Sequence, residues 1–349
     1  MKQNKPEYLV AAMAFTVFVA LCLNGGETNN TPPNLTAKPT LTVYTYDSFN
    51  AEWGPGPKVF PIFESQCNCK VNVITAGDTG QVLNRLILEK DNPKADVVVG
   101  IDNSFLSKAL SAGILVPYSS RNIEKVPQRL RFDSTGSLTP YDYGYVTFVY
   151  DSSKISPPNS LLDLLDPKYS KKFILEDPRT SSPGLIFFMQ TVQALGEDKA
   201  WVYWRNLSKQ ALAIAPSWDE AQTLFSSGEA PMYLSYATSP SYYVEYENKT
   251  NFLAVDFSEG LLEQVEGSGI VKGTRNVELA QSFIDFTLTP EFQNELPQTQ
   301  WMFPVLPDAK IPESFSYAVK PNKTLTLNTN LTSEDTQRWL AQWEDAVKA

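Results

Sequence analysis

Short apolar runs alternate with amphipathic stretches along the first half of the chain. Leu41–Tyr46 and Val71–Thr75 are rich in β-branched and aromatic residues and predict strands. Asp96–Val99 is continuously apolar after its first residue, which is typical of a buried parallel strand. Between these strands, Gln81–Lys90 places its apolar residues on one helical face. Strands that alternate with helices in this way indicate an α/β sheet covered by helices.

The same alternation returns in the second half, so we expect a second α/β lobe. The predicted strands there are Tyr145–Tyr150, Phe173–Glu176 and Pro231–Tyr236. The predicted helices are Pro57 to about Ser65, Leu161–Leu165, Pro183–Leu195, one from near Asp198, Trp218–Phe225, Val277–Leu288 and one from near Ser333. Two such lobes place a ligand in the cleft between them.

The first 37 residues differ from the rest in composition. Lys2 and Lys5 precede an apolar run, Leu9–Leu23, which has the length of an export signal and is short for a spanning helix. A polar linker rich in Pro and Gly follows, so the folded body is expected outside the cytoplasm from about residue 38. Cys22 has the position of a lipid-modified cysteine, but Leu21 is larger than the residue that usually precedes one. Lipidation and a leader that is uncleaved or cleaved elsewhere both remain open.

Charge and composition exclude several classes of function. The formal net charge is −10, which disfavours a nucleic-acid partner and suits a cationic ligand. The chain has no histidine, so catalysis by Ser-His-Asp or Cys-His and zinc or haem held by histidine are excluded. It also lacks a Walker A string, a dinucleotide-binding glycine pattern and a G-x-S-x-G turn. Sequons for N-glycosylation begin at Asn29, Asn34, Asn206, Asn248, Asn322 and Asn330.

A series of short strings, in a fixed order between about residues 40 and 305, is more specific. They are LTVYTYDSF (Leu41–Phe49), WGPGP (Trp53–Pro57), CNC (Cys67–Cys69), LNRL (Leu83–Leu86), ADVVVGIDN (Ala95–Asn103), YDYGY (Tyr141–Tyr145), EDPRTSSPGL (Glu176–Leu185), SYATSP (Ser235–Pro240), FSEG (Phe257–Gly260) and WMFPV (Trp301–Val305). In these strings the chain resembles the thiamine-binding proteins of bacterial ABC importers, which are type II periplasmic binding proteins.

The resemblance implies a type II periplasmic binding protein fold with two discontinuous α/β lobes, a hinge and a ligand cleft. We expect residues 38–142 with 263–297 to form lobe 1 and residues 143–262 with 298–349 to form lobe 2, after a leader and linker at 1–37. The residues that the resemblance places at the ligand are Asp78, Thr79, Ser181, Ser182, Trp218, Tyr236, Ala237, Thr238 and Ser239, with Tyr46, Trp53 and Trp301 as further walls. Thr79, Ser182 and Ala237 depart from the family's usual Gly, Thr and Thr.

The chemistry of these residue types suits thiamine, whose thiazolium ring is a cation. Aromatic faces attract such a cation, and Trp53, Trp218, Tyr236 and Trp301 would supply them. An ionised Asp78 would accept the pyrimidine amino group or neutralise the cation. Each aromatic residue is equally explained by core packing, and Asp78 by a turn.

Ser181 and Ser182 precede Pro183 at a predicted helix amino terminus, which suits the ligand's hydroxyl or a phosphate, although a plain helix cap explains them equally well. Thiamine monophosphate and diphosphate are therefore further candidate ligands. We interpret Asp102 and Asn103 as caps of the segment from Ser104, and Asp142 and Gly144 as hinge positions.

Two other functions remain open from the sequence. Tyr242 and Tyr243 are adjacent, as in ferric-ion-binding proteins of the same superfamily, and phenolates suit iron. Some relatives of this fold degrade thiamine with a cleft cysteine, but Cys67 and Cys69 are expected away from the cleft and are interpreted as structural, with a disulfide between them as one state.

The favoured prediction is a monomeric, extracytoplasmic solute-binding protein that is not an enzyme and needs no cofactor or metal. It would deliver thiamine to an ABC transporter permease with its ATPase.

Overall fold

The computed structural model describes residues 38–328 and 331–349. The predicted leader and linker, with Cys22 and the sequons at Asn29, Asn34 and Asn330, lie outside these residues. Residues 38–349 form one compact unit. None of its described helices is both long enough and apolar enough to cross a membrane.

The first lobe follows the predicted alternation closely. Its elements are β1 (Thr40–Thr45), α1 (Gly56–Cys67), β2 (Lys70–Thr75), α2 (Thr79–Leu88), β3 (Val97–Asp102), α3 (Leu106–Ala112) and β4 (Leu115–Val116). Asp78 caps α2, since its Oδ1 accepts the Thr79 backbone N–H at 2.6 Å while Gln81 accepts the Asp78 N–H. Cys67 and Cys69 form a disulfide between α1 and β2, so the two-cysteine motif is structural, as expected.

The elements that follow vary more in length, with strands of two to 13 residues. They are β5 (Thr139–Asp151), β6 (Phe173–Glu176), α4 (Ser182–Leu195), α5 (Glu197–Gln210), β7 (Ala213–Ala215), α6 (Trp218–Ser226), β8 (Met232–Tyr236), α7 (Ser239–Glu247), β9 (Phe252–Ala254), β10 (Leu261–Val271), α8 (Val277–Thr287), α9 (Pro290–Gln293), α10 (Leu296–Thr299), β11 (Phe303–Pro304), β12 (Thr324–Leu325) and α11 (Ser333–Lys348). The predicted helix at Leu161–Leu165 is a 3-10 helix.

The strands form a continuous ladder in the order β2-β1-β3-β10-β5-β8-β6-β7. β1 is parallel to β2 and β3, and β6 is parallel to β7 and β8, so each lobe has its own parallel set. The long strands β5 and β10 are antiparallel to each other and lie between the two sets. Residues 139–145 of β5 pair with β10, and residues 146–150 pair with β8, so β5 passes from one lobe to the other.

Two predictions about these central strands were incomplete or wrong. The strand predicted at Tyr145 already begins at Thr139, because Pro140 and Asp142 are fully buried within a ladder instead of ending it. No strand was predicted at Leu261–Val271, yet β10 is buried along its whole length. β10 was missed because its sequence contains several polar residues, and a polar buried strand cannot be told from an exposed loop by its pattern. The predicted lobe boundaries at 142/143 and 262/263 fall within β5 and β10.

Candidate ligand-binding site

A cavity lies between the lobes and encloses about 810 Å³ of empty space, its open mouth included. Its walls combine aromatic rings with hydroxyl, amide and carboxyl groups, and none of the described lining residues is Lys or Arg. The lining residues are Tyr46, Ser48, Trp53, Asp78, Thr79, Ser182, Pro183, Trp218, Gln222, Tyr233, Tyr236, Ser239, Tyr242, Tyr243, Glu266, Gln300 and Trp301. This composition suits a flat, partly aromatic cation with hydrogen-bonding groups.

Asp78 lies where the amino termini of three helices meet. Backbone N–H groups of Thr79, Trp218 and Ser182, the first residues of α2, α6 and α4, all stabilise its ionised carboxylate. Burial in the cleft nevertheless dominates and raises the pKa of Asp78 to about 6. A ligand group in this corner meets a carboxylate, and a phosphate would compete with that carboxylate for the same N–H groups.

Two indole rings, one from each lobe, form one side of the cavity. The ring centroids of Trp53 and Trp218 are 6.2 Å apart, and Trp53 is 46% exposed at the mouth. The Trp218 indole is held in place because its Nε1–H donates to Ser235 Oγ at 2.9 Å. Ser235 in turn shares a 2.9 Å hydrogen bond with Ser239 Oγ. The hydroxyls behind the indole therefore fix the angle at which it faces the cavity.

Another part of the wall is formed around Glu266 on β10. Its Oε2 accepts hydrogen bonds from Tyr46 Oη at 2.7 Å and Tyr141 Oη at 2.6 Å. Gln300 Nε2 donates to Tyr46 Oη, which aligns that phenol. Burial raises the pKa of Glu266 to about 8 despite the two phenol donors.

A hydrogen-bond cluster joins the lobes beneath the cavity. Ser182 Oγ at the start of α4 donates to Asp102 Oδ2 at the end of β3, and Gln264 Nε2 donates to both, at 2.7 Å and 2.8 Å respectively. Asp102 Oδ1 accepts the N–H groups of Ser104 and Phe105. Asp102 therefore holds the turn that precedes α3, whereas the helix itself starts at Leu106 and has no side-chain cap. Asn103 instead bridges to β10 through the backbone of Glu263 and Val265.

The structure brings most of the predicted ligand residues to one surface. Those that line the cavity are Tyr46, Trp53, Asp78, Thr79, Ser182, Trp218, Tyr236, Ser239 and Trp301. Ser181, Ala237 and Thr238 are fully buried behind it. Ser181 caps α4 by accepting the Gly184 N–H and donates its hydroxyl to Glu176. That any of these residues contacts a ligand stays a prediction.

Several lining residues were not predicted as ligand residues. They are Ser48, Pro183, Gln222, Tyr233, Tyr242, Tyr243, Glu266 and Gln300. Glu266 belongs to the undetected strand β10, and Gln222 is one turn beyond Trp218 on α6, where helical spacing from a predicted residue would have indicated it.

The structure also places the residues on which the two alternative functions depend, the tyrosine pair for iron binding and the cysteines for thiamine degradation. Tyr242 and Tyr243 both line the cavity, but Tyr243 Oη is engaged with Tyr233 Oη at 2.9 Å. Burial raises the pKa of Tyr243 well above its ordinary value, so its phenol keeps its proton. Cys67 and Cys69 do not line the cavity, and their disulfide leaves neither sulfur as a free thiolate.

Comparison with known families agrees with this architecture. The sequence model of the bacterial extracellular solute-binding proteins matches residues 92–329, more than half of the chain. The chain therefore belongs to the bacterial extracellular solute-binding protein family.

Several of the similar proteins are thiamine-binding periplasmic proteins. The thiamine-binding periplasmic protein of Escherichia coli (strain K12) is 40% identical over 313 residues, covering 89% of this chain and 94% of that protein. The thiamine-binding periplasmic protein of Brucella suis biovar 1 (strain 1330) is 38% identical over 340 residues, covering 96% of this chain and 98% of that protein. A solved periplasmic thiamin binding protein is similar in structure, with a TM-score of 0.82 at 39% identity, over 89% of this chain and 96% of that one. These relatives are named as binding proteins and not as enzymes.

Proposed function

We propose that this protein captures thiamine in the cavity between its lobes and delivers it to an ABC importer. The observation that carries the proposal is the cavity wall itself: indole and phenol rings surround the space, carboxyl groups face it, and no described lining residue is Lys or Arg. Such a wall favours an aromatic cation over an anion. The similarity to thiamine-binding periplasmic proteins along 89–96% of the chain supports the same ligand.

The parts of thiamine match the parts of the cavity. The thiazolium ring carries the positive charge and suits the aromatic walls formed by Tyr46, Tyr236 and Trp301. The aminopyrimidine is flat and donates hydrogen bonds, which suits the indoles of Trp53 and Trp218 with Asp78 nearby. Thiamine monophosphate and diphosphate are secondary candidates, because a phosphate would suit the amino terminus of α4 at Ser181 and Ser182, although it would compete there with the Asp78 carboxylate.

Delivery would depend on closure of the lobes over the ligand, with β5 and β10 as the flexible connections and Asp142 and Gly144 as hinge positions. The closed protein would then dock on a membrane permease driven by an ATPase on the other side of the membrane. The protein would act as a monomer, without a cofactor, metal or catalytic step. Its site of action would be the periplasm or the outer face of the cell membrane, reached by the N-terminal signal, with lipid attachment at Cys22 as one means of retention.

Calorimetric titration of the purified, ligand-free protein tests this function. Thiamine, thiamine monophosphate, thiamine diphosphate and ferric citrate are titrated separately. We expect tight one-to-one binding of thiamine and no binding of iron. Iron binding with no response to thiamine would contradict the proposal and favour the tyrosine pair at Tyr242 and Tyr243, and no response to thiamine at all would also overturn it.

A further inference from the structure

Three carboxyl groups lie side by side across the sheet below the cavity. Glu266 on β10 is paired directly with Asp102 on β3 and with Asp142 on β5. Residues paired in this way project to the same face of a sheet, so the three side chains form a row. Asp102 and Asp142 are fully buried and Glu266 is 3% exposed.

No positive charge balances this row within residues 38–328 and 331–349. None of the three forms an ion pair with Lys or Arg among the described residues. Neither carboxyl oxygen of Asp142 has a hydrogen-bond partner there. Like charges this close in a medium of low polarity cannot all be ionised, so the row holds protons when the cavity is empty.

The electrostatics of the three groups agree with that geometry. Burial raises the pKa of Asp102, Asp142 and Glu266, and the pKa of Asp142 is raised further by the charge of Glu266 and then of Asp102. Ionisation of Glu266 therefore makes ionisation of Asp142 harder, so the proton binding of these two groups is linked.

Only Glu266 of the three reaches the cavity surface. We propose that Glu266 is the counter-ion for the cationic ring of the bound ligand, and that it gives up its proton when that cation enters. The inference rests on the proposed function, because it takes thiamine as the ligand. It also explains why the cavity places a carboxyl group among aromatic rings: the ligand supplies the positive charge that the row lacks.

Charge and protons balance when the cation binds. The neutral carboxyl group of Glu266 becomes a carboxylate, one proton passes to solvent, and the ligand cation remains as the partner of the new charge. Tyr46 and Tyr141 already donate to Oε2 and stabilise the carboxylate. The other ionisable or polar groups that face Glu266 are Asp102, Asp142, Asp78, Tyr236 and Gln264, and the acidic ones oppose its ionisation until a cation is present.

Cation selectivity follows from this coupling. A neutral isostere of thiamine would fill the same space and stack on the same rings, but it would leave Glu266 protonated. We therefore expect thiamine to bind with proton release and more tightly than 3-deazathiamine, the thiophene isostere that carries no charge. Both compounds share the aminopyrimidine, so any protonation change of that ring cancels in the comparison.

Calorimetry of the wild-type protein at pH 7 tests the inference directly. Each compound is titrated in PIPES and in Tris, whose ionisation enthalpies differ, so that the difference in heat counts the protons exchanged. Proton release with thiamine and none with the isostere supports the inference. Equal affinities of the two compounds without proton release would overturn it while the proposed function stands, and binding of neither compound would overturn both.

Substitutions at Glu266 and at a control position test whether Glu266 is the source of the released proton. Glu266→Gln should lose the proton release and weaken thiamine binding roughly 10- to 100-fold, as expected for loss of a charged hydrogen-bonding partner, with the isostere unaffected. Glu263→Gln is the matched control, because Glu263 lies on the same strand, pairs with Arg129 at 2.5 Å and does not line the cavity. If Glu266→Gln bound thiamine with unchanged affinity and proton release, Glu266 would not be the counter-ion.

Discussion

At the scale of single residues, Trp218 both lines the cavity and is held in place by a hydrogen bond to the residue behind it. The indole faces the cavity, while its Nε1–H is fixed by Ser235. Trp218→Ala should weaken thiamine binding by about 1–3 kcal/mol, because an aromatic contact with a cationic ligand is lost. Calorimetric affinity for thiamine measures the change.

Trp201→Ala serves as the control for that substitution. Trp201 packs against Phe188 and does not line the cavity, so its removal also deletes one indole but leaves the site intact. Equal losses of affinity in the two variants, or none in a folded Trp218→Ala protein, would exclude Trp218 from the site.

Buried carboxyl groups make the stability of the ligand-free protein dependent on pH. The pKa of Asp78 is raised from 3.8 to about 6 and that of Glu266 from 4.5 to about 8. Because each group binds its proton more tightly in the folded protein, its stabilising effect is complete below its ordinary pKa and is lost as the pH rises through the folded value. The melting temperature should therefore fall between pH 5 and pH 8, by roughly 2–4 °C or more.

Scanning calorimetry of the ligand-free protein across that range measures the slope. Asp151, Asp163 and Glu64 have lowered pKa values, so their effects on stability fall in more acidic solution and do not interfere. Glu266→Gln should flatten the slope between pH 6 and pH 8. A melting temperature that rose steadily from pH 5 to pH 8 would contradict the proton binding inferred for these groups.

At the scale of elements, the sequence predicted the apolar strands better than the polar strand at the centre, and it missed the three-residue edge strand β7. β1, β3 and β6 are short and apolar, so their patterns were informative. β10 has fully buried polar residues, Gln264 and Ser268, whose burial depends on contacts with β3 and β5 that are distant in sequence. No local pattern contains that information.

The residues of the candidate site likewise fall into those that the sequence predicted and those that it did not. Ser182 lies in a string shared with a known family, and Asp78 and Trp218 were placed at the ligand by the resemblance as a whole. All three occur at helix amino termini. Glu266 and Gln300 come from segments where neither periodicity nor a shared string indicated a role. Their place at the cavity depends on how β10 and the segment after α10 pack across the cleft.

The packing of α2 against the opposite lobe gives a prediction about closure. Gly80 is the second residue of α2, and a Cβ there would lie 2.9 Å from the Thr180 carbonyl oxygen, in the loop before α4. Gly80→Ala should favour the helix by up to about 1 kcal/mol and yet weaken thiamine binding, because the added methyl group holds the lobes apart. Affinity and melting temperature, measured together, separate the two effects.

Asn84→Ala is the control for helix propensity, since Asn84 is exposed on the same helix. It should leave thiamine affinity unchanged. If Gly80→Ala bound thiamine as tightly as the wild type, the contact between α2 and the Thr180 loop would not limit closure.

At the scale of the whole molecule, this structure has its lobes in contact around the cavity. Asp102 accepts from Ser182 across the cleft, and Trp53 meets Trp218 at its mouth. Thiamine in the cavity would contact residues of both lobes, so its binding should favour the closed arrangement over a wider one. Small-angle X-ray scattering should show a smaller radius of gyration with saturating thiamine than without it. An unchanged radius would contradict closure on binding.

The pair of indoles at the mouth has an optical consequence. Trp53 and Trp218 come from opposite lobes, and their ring centroids are 6.2 Å apart in this structure. If the lobes open and close as proposed, each cycle would change how strongly the two fluorophores quench each other and how much water reaches Trp53. The intrinsic emission of the protein would then report occupancy and could be calibrated as a label-free sensor for the bound solute.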